Sequence, residues 1–378
     1  MGLSPLTGMT FPWDLLEPAR ARAAAHPGGI VDLSVGTPVD ATPDVVRRAL
    51  ESASDAHGYP LTAGTPALRR AVAGWFARRR GVEIAPDATL PTVGSKELVG
   101  LLPSMLGLGS GDTVVHPAVA YPTYEVGAVL AGATALATDD VREWDGREGV
   151  RLVWVNSPGN PHGRVADVAE LRAVVEAARR TGAVVVSDEC YAELGWGPGA
   201  HDPRSVPSLL DPRVCGGDHS GLLVTYSLSK QSSMAGYRAA FVAGDPRLVG
   251  DLLALRKQLG LIVPAPVQAA MVAALDDDEH VAVQRERYRA RRDLLGSALV
   301  AAGFVIDHSE AGLYLWVRPP GGWVDCWTTV ERLADCGLLV APGAFYGPAG
   351  AGHVRVALTV SDERAAAAAA RLRALPGA

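Results

Sequence analysis

Lys230 stands in Tyr226-Ser-Leu-Ser-Lys230, directly behind the apolar run 222–226, and Arg238 follows eight residues later. A lysine just past the end of a buried strand sits at the edge of an α/β sheet, where ligands bind. Burial there lowers an amine's proton affinity, which makes it a nucleophile able to condense with a carbonyl. Ser227, Ser229 and Arg238 would supply an anion site beside it. The other reading of the same residues is a solvated lysine after a strand. Asp188 ends a second run, 183–187, and so reaches the same edge. An acid there is a helix N-cap or a carboxylate aimed at a ligand cation, and for a pyridinium it would keep the ring an electron sink. Asn156-Ser-Pro-Gly-Asn160-Pro-His-Gly163 closes a third run, and its residue types by themselves specify only a turn. Three strand ends thus bring a lysine, an aspartate and an asparagine together.

The elements that must hold these residues are visible as periodicity. Short apolar, β-branched runs at 113–116, 151–155, 183–187, 222–226 and 239–243 read as buried strands. Between two of them, residues 168–181 place Leu171, Val174, Val175 and Ala178 on one face and Arg172, Glu176, Arg179 and Arg180 on the other, closing at Gly182. Strand, helix, strand is the alternation of an α/β sheet. After Pro264 and Pro266 the texture changes to a long charged helix over 279–302, a strand over 312–317 and an Ala-rich helix capped near Ser361. The Gly-, Pro- and Asp-dense segment 196–221 is expected to be a surface loop.

Of 378 residues, 48% are hydrophobic and 20% charged, enough for a large core and incompatible with disorder. The net charge is −6 and no basic run exceeds Arg78-Arg79-Arg80, which argues against nucleic acid or an anionic membrane as partner. Cys190, Cys215, Cys326 and Cys336 include no C-x-x-C spacing, and the histidines form no H-x-x-x-H pair, so neither disulfide framework nor metal site is expected. Gly107-Leu-Gly-Ser-Gly111 precedes a strand and lacks the third-glycine spacing, so it is not read as a dinucleotide loop. The start of the chain shows neither an export signal nor a lipid anchor, and the apolar stretch 259–275 is broken by Pro264, Pro266 and Gln268. A soluble, cytoplasmic protein is expected.

Taken together, Asn160-Pro-x-Gly163, Asp188-x-x-Tyr191, Ser227-x-Ser-Lys230, Arg238 and Arg355-Val-Ala-Leu358 resemble the pyridoxal-phosphate aminotransferases of fold type I, class I/II, from Gly36-Thr-Pro38 to Glu363. Phe11-Pro-Trp-Asp14, residues 31–40, Gly94-Ser-Lys-Glu97, Asp188-Glu-Cys-Tyr-Ala-Glu-Leu-Gly-Trp196 and the run 263–278 are similar to the actinobacterial N-succinyldiaminopimelate aminotransferases. The resemblance implies an α/β large domain, with a mostly parallel sheet sandwiched by helices, over 45–265. A smaller α+β domain would cover 266–378, with 1–44 as an N-terminal arm that completes it.

The resemblance also implies roles. Lys230 would hold pyridoxal 5′-phosphate covalently, Asp188 would pair with the pyridine nitrogen, and Tyr191 and Asn160 would bond the 3′-oxygen. Ser227, Ser229, Arg238 and the Gly94-Ser95-Lys96 turn would hold the phosphate, with a helix beginning near Glu97. Tyr121 would stack on the ring, and Arg355 would grip the substrate α-carboxylate with Gly36 and Asn160 completing that pocket. Tyr59 would reach the phosphate of a neighbouring subunit, making the enzyme a homodimer with shared sites. The implied substrates are L-glutamate and N-succinyl-2-amino-6-oxopimelate, with Lys96 the candidate for the distal carboxylates.

Rivals on the same fold are transfer to another 2-oxo acid and a C–S lyase. A pyridoxal-phosphate-sensing regulator would need a DNA-binding module, for which too few residues precede Gly36 or follow Glu363. The resemblance departs at His162, where the family has threonine; the imidazole serves either the turn or catalysis. Trp13, Trp196, Trp316 and Trp323 are expected in the core or at its rim.

Overall fold

The computed structural model describes residues 11–197 and 202–375. Its main sheet has seven strands: β1 (Thr89–Val93), β2 (Thr113–His116), β3 (Thr134–Ala137), β4 (Val150–Asn156), β5 (Val184–Asp188), β6 (Leu222–Ser227) and β7 (Ala239–Gly244). They lie in the order β1-β7-β6-β5-β4-β2-β3. β7 runs antiparallel to both its neighbours and every other pair is parallel. Such a sheet needs both faces covered, and the side chains of β4 show how. Leu152 and Trp154 enter one apolar cluster, whereas Val153 and Val155 pack in the cluster on the opposite face.

The helix Val168–Thr181 follows its periodicity. Asp167 and Glu170 cap it reciprocally, with 2.9 Å bonds in both directions, and Gly182 terminates it at φ 71°.

A four-stranded antiparallel sheet, in the order Ala341–Pro342, Val354–Ala357, Tyr314–Arg318, Val305–Ile306, forms the second lobe. Helices Glu279–Ala301 and Asp362–Arg373 pack together beside it. Leu16, Ala19, Ala23, Val31 and Leu33 enter its core, and Val31–Asp32 pairs in parallel with Leu338–Leu339. The N-terminal segment therefore completes the smaller lobe. Arg291 fixes the exit of that segment by bonding both Asp40 and Asp362 at 2.7 Å.

Three expectations are corrected here. Helix Ala265–Asp276 does not open the small lobe: Ala270, Met271, Ala274 and Leu275 pack in the main sheet's core, against helices Asp44–Ser52 and Pro66–Trp75. The lobe's own helix begins at Glu279. The segment 196–221 is not a surface loop throughout, because Val206, Leu209, Leu210, Val214 and Cys215 are buried in the same core. Asp211 caps the short helix Pro212–Cys215 within it, and residues 198–201 lie outside the described residues. The helix expected near Glu97 starts at Ser95. The Gly94 N–H still donates to Arg238 O at 2.8 Å, the next step of the β1–β7 register, and Gly94 at φ 76° then turns the chain so that Ser95 opens the helix. Glu97 instead accepts from Arg256 at 2.8 and 3.0 Å.

Candidate active site

β4, β5 and β6 are parallel and in register, so Asn156 lies beside Asp188 and Asp188 beside Thr225. Their carboxyl-terminal ends therefore deliver Asn160, Asp188 and Lys230 to one edge, the place where α/β sheets bind ligands. A cavity of about 450 Å³ opens there. Of the residues expected to hold cofactor or substrate, all but Gly94 and Tyr59 line it.

Lys230 sits in the short helix Leu228–Gln231, whose N-cap Ser227 accepts from the Ser229 N–H. It is half-buried, and its Nζ bonds the carbonyl oxygen of Gly36, which also lines the pocket. The Ser227 hydroxyl donates to the Ser229 hydroxyl at 2.8 Å. Arg238, held at φ 55°, lies over Gly94, where a Cβ would come within 2.2 Å of its Nη2. Ser95, in the first turn of helix Ser95–Met105, lines the same end. Two hydroxyls, a guanidinium and a helix N-terminus form a donor set suited to a phosphate.

Asp188 is buried. Its Oδ1 accepts from the Cys190 N–H at 3.1 Å and its Oδ2 from the Tyr124 hydroxyl at 3.0 Å. Burial raises its proton affinity, against those two donors and the Lys230 charge. A carboxylate so placed gains from a cationic partner. Asn156 Nδ2 donates to the Asp188 carbonyl at 3.0 Å, and its Oδ1 accepts from the Asn160 N–H at 2.8 Å.

Arg355 is buried, with Nη1 donating to Asn160 Oδ1 at 3.0 Å and Nη2 to Ser34 O at 2.6 Å. Its Nε has no partner, which leaves one buried donor for a ligand. The Lys96 ammonium stands at the mouth, 5.5 Å from the Phe11 ring centre and 5.7 Å from that of Tyr121. Among the described residues it has no carboxylate partner. A buried carboxylate, an amine, an anion cradle and a buried arginine with an unpartnered N–H in one cavity fit pyridoxal phosphate and an amino acid.

Three aromatic residues that the sequence reading gave no role at the site also line the pocket. Trp13, expected in the core or at its rim, lines the pocket, with the Arg355 guanidinium 5.9 Å from its ring. Tyr124 follows Tyr121 by three residues, so a helical start there would have put both on one face. Tyr314 shares its strand face with Trp316 by simple alternation. Trp196 and Trp323 do join the small-lobe core, as does Trp316, which stacks on His353. Tyr59 is fully exposed and lines no part of this pocket.

His162 lies outside the pocket. Its ring packs on Gly159 and stands 5.7 Å from that of His308, and Nδ1 accepts from the Arg164 N–H at 3.0 Å. Burial, then the neighbouring His308 and Arg164, pull its pKa down to about 4. It borders a separate cavity of about 960 Å³ behind the sheet edge.

Comparison with known proteins is consistent with this geometry. The family model for aminotransferase class I and II matches residues 29–372. The 4-dedimethylamino-4-oxo-anhydrotetracycline transaminase OxyQ of Streptomyces rimosus is 59% identical, over 96% of this chain and 98% of its own. An LL-diaminopimelate aminotransferase of Dehalococcoides mccartyi is 31% identical, over 89% of this chain and 88% of its own. A Thermus thermophilus structure described as a "probable N-succinyldiaminopimelate aminotransferase" superposes with a TM-score of 0.85 at 28% identity, over 96% of this chain and 100% of that one. The chain belongs to the class I and II aminotransferases, the fold type I enzymes that work with pyridoxal phosphate.

Proposed function

We propose that the protein transfers an amino group between L-glutamate and N-succinyl-2-amino-6-oxopimelate, a step towards diaminopimelate and lysine. Pyridoxal phosphate, when bound, supplies the electron sink that stabilises negative charge at the substrate α-carbon. Lys230 carries the cofactor, then takes and returns the α-proton as general base and acid. Asp188 holds the pyridine nitrogen protonated, Tyr191 and Asn160 orient the 3′-oxygen, and Tyr121 covers the ring. Ser227, Ser229, Arg238, Ser95 and the Gly94 backbone anchor the phosphate. Arg355 takes the α-carboxylate beside Gly36 and Asn160.

The observation that carries the substrate reading is Lys96, a cation at the mouth of the cavity without a carboxylate partner among the described residues. An acidic tail extending from the α-carboxylate end meets it there. The Thermus and Dehalococcoides relatives support the same substrate class. A second reading, transfer to a ketone of a fused-ring anhydrotetracycline, draws on the Streptomyces relative and on the aromatic mouth formed by Phe11, Trp13 and Tyr121. The purified enzyme, loaded with cofactor and glutamate, decides between them when offered both acceptors and a panel of 2-oxo acids. Release of 2-oxoglutarate with the succinylated acceptor alone supports the first reading, and none with it rejects that reading.

We infer a homodimer with shared sites, because Tyr59, the residue expected to reach a phosphate, is 100% exposed and does not line its own pocket. A cytoplasmic location accords with four free cysteines and with the absence, among the described residues, of a helix long and apolar enough to cross a membrane.

A further inference from the structure

Arg355 and Tyr191 have separate tasks in the proposed reaction, one at the substrate carboxylate and one at the cofactor oxygen. Tyr314 touches both. It opens the strand Tyr314–Arg318, where Trp316 pairs directly with Arg355 across the antiparallel ladder. Tyr314, two residues earlier, lies on the same face and diagonal to Arg355, within reach of an aromatic side chain. The guanidinium accordingly stands 3.9 Å from the centre of the Tyr314 ring, well inside cation–π range. At the other end, the Tyr314 hydroxyl is 3.3 Å from the Tyr191 hydroxyl. Gly36 is shaped to this residue, since a Cβ there would lie 1.9 Å from the Tyr314 hydroxyl oxygen.

We propose that Tyr314 is a positioning residue that couples the substrate-carboxylate arginine to the tyrosine at the cofactor oxygen, its ring setting the guanidinium plane and its hydroxyl donating to Tyr191. The hydrogen count gives the direction of that bond. A phenol carries one hydrogen, and if that of Tyr191 goes to the cofactor oxygen as proposed above, the hydrogen shared between the two hydroxyls must come from Tyr314. Accepting that bond strengthens Tyr191 as a donor in turn, because hydrogen bonds in a chain polarise one another. The Tyr191 proton is thereby directed at the cofactor oxygen.

Two variants separate the ring from the hydroxyl. Tyr314→Phe keeps the platform and loses the bond; Tyr314→Met fills the space with a flexible apolar chain and loses both. In the cofactor-loaded protein, the visible absorption of the Lys230-bound cofactor is titrated against pH. Tyr314→Phe should raise the midpoint by roughly 0.4 to 1 unit, since a weaker donor favours the protonated linkage. Binding of glutarate, an unreactive dicarboxylate, is then followed through the change it causes in the same band. Tyr314→Met should weaken it about tenfold, with Tyr314→Phe within about threefold of wild type. An unchanged midpoint in Tyr314→Phe overturns the hydroxyl link, and wild-type glutarate binding in Tyr314→Met overturns the platform. The platform rests on Arg355 as the carboxylate grip. Wild-type protein that gives no glutarate response overturns that grip and the platform together, whereas the pH titration judges the hydroxyl link independently.

Discussion

The Tyr124 hydroxyl donates to Asp188 Oδ2 at 3.0 Å from the first turn of the helix that follows Tyr121. One short segment, Tyr121-Pro-Thr-Tyr124, therefore supplies both a wall of the cofactor pocket and a bond to the acid at its floor. Tyr124 is fully buried and packs on Trp154, with ring centres 5.1 Å apart, so its hydroxyl has little freedom to turn elsewhere.

Tyr124→Phe removes that donor and leaves the packing. A hydrogen bond to a charged, buried group contributes about 1.5–3 kcal/mol. Cofactor affinity, measured by fluorescence titration of the apo-protein, should fall by roughly 10- to 100-fold. Affinity within about twofold of wild type would show that Cys190 and the cofactor suffice to hold Asp188.

Lys230→Ala should abolish both the visible band of the lysine-bound cofactor and turnover, because no other lysine lines the pocket except Lys96 at its mouth. Borohydride reduction followed by peptide mapping checks this directly. A labelled peptide containing Lys96 or Lys257 in the variant would overturn the assignment. Asp188→Asn should keep the fold and lose most of the rate, each factor of ten corresponding to about 1.4 kcal/mol of transition-state stabilisation.

Lys96→Met tests the distal carboxylate site. Removing a cation that pairs with a buried substrate carboxylate costs about 2–5 kcal/mol, whereas an exposed rim lysine contributes about 0–1 kcal/mol. The Michaelis constant for the succinylated acceptor should rise at least tenfold while that for glutamate changes little. Equal, small effects on both would remove Lys96 from substrate recognition.

Tyr59→Phe and Lys230→Ala subunits, each deficient alone, should recover activity on mixing. One of the two sites in the heterodimer then carries both lesions and the other neither. Lack of recovery, with subunit exchange verified by mass spectrometry, would mean that Tyr59 does not act across the interface.

His162 makes a pH prediction whose sign follows from burial. Its folded pKa, about 4, lies below the unfolded value of 6.5. Between those values the unfolded chain binds the proton and the folded chain does not, so stability falls as pH drops from 6.5 towards 4. Thermal melts of His162→Thr should lose less stability across that window than wild type. His116 and His280, also lowered by burial, act equally in both proteins and cancel in the difference. Turnover should change little, because the ring lies outside the cofactor pocket.

The α/β class and the identity of the strand-end residues were legible without coordinates. Hydrophobic period is a local property, and parallel strands in register are bound to present their carboxyl ends together, so Lys230, Asp188 and Asn160 had to share an edge. Long-range packing was not legible. Periodicity shows that Ala270, Met271 and Ala274 face something apolar, but not that they face the main sheet instead of the second lobe. The composition of 196–221 marked it as irregular, yet its few aliphatic side chains are buried because the core offers them space. Tyr314 likewise alternates with Trp316 in any strand. Only the register of that strand against Val354–Ala357, and the closure of the second lobe over the sheet edge, put its ring under Arg355 and its hydroxyl against Tyr191. Sequence determines which face a side chain takes, because that depends on its own backbone; what it meets there depends on elements far along the chain, and only the tertiary structure brings them into contact.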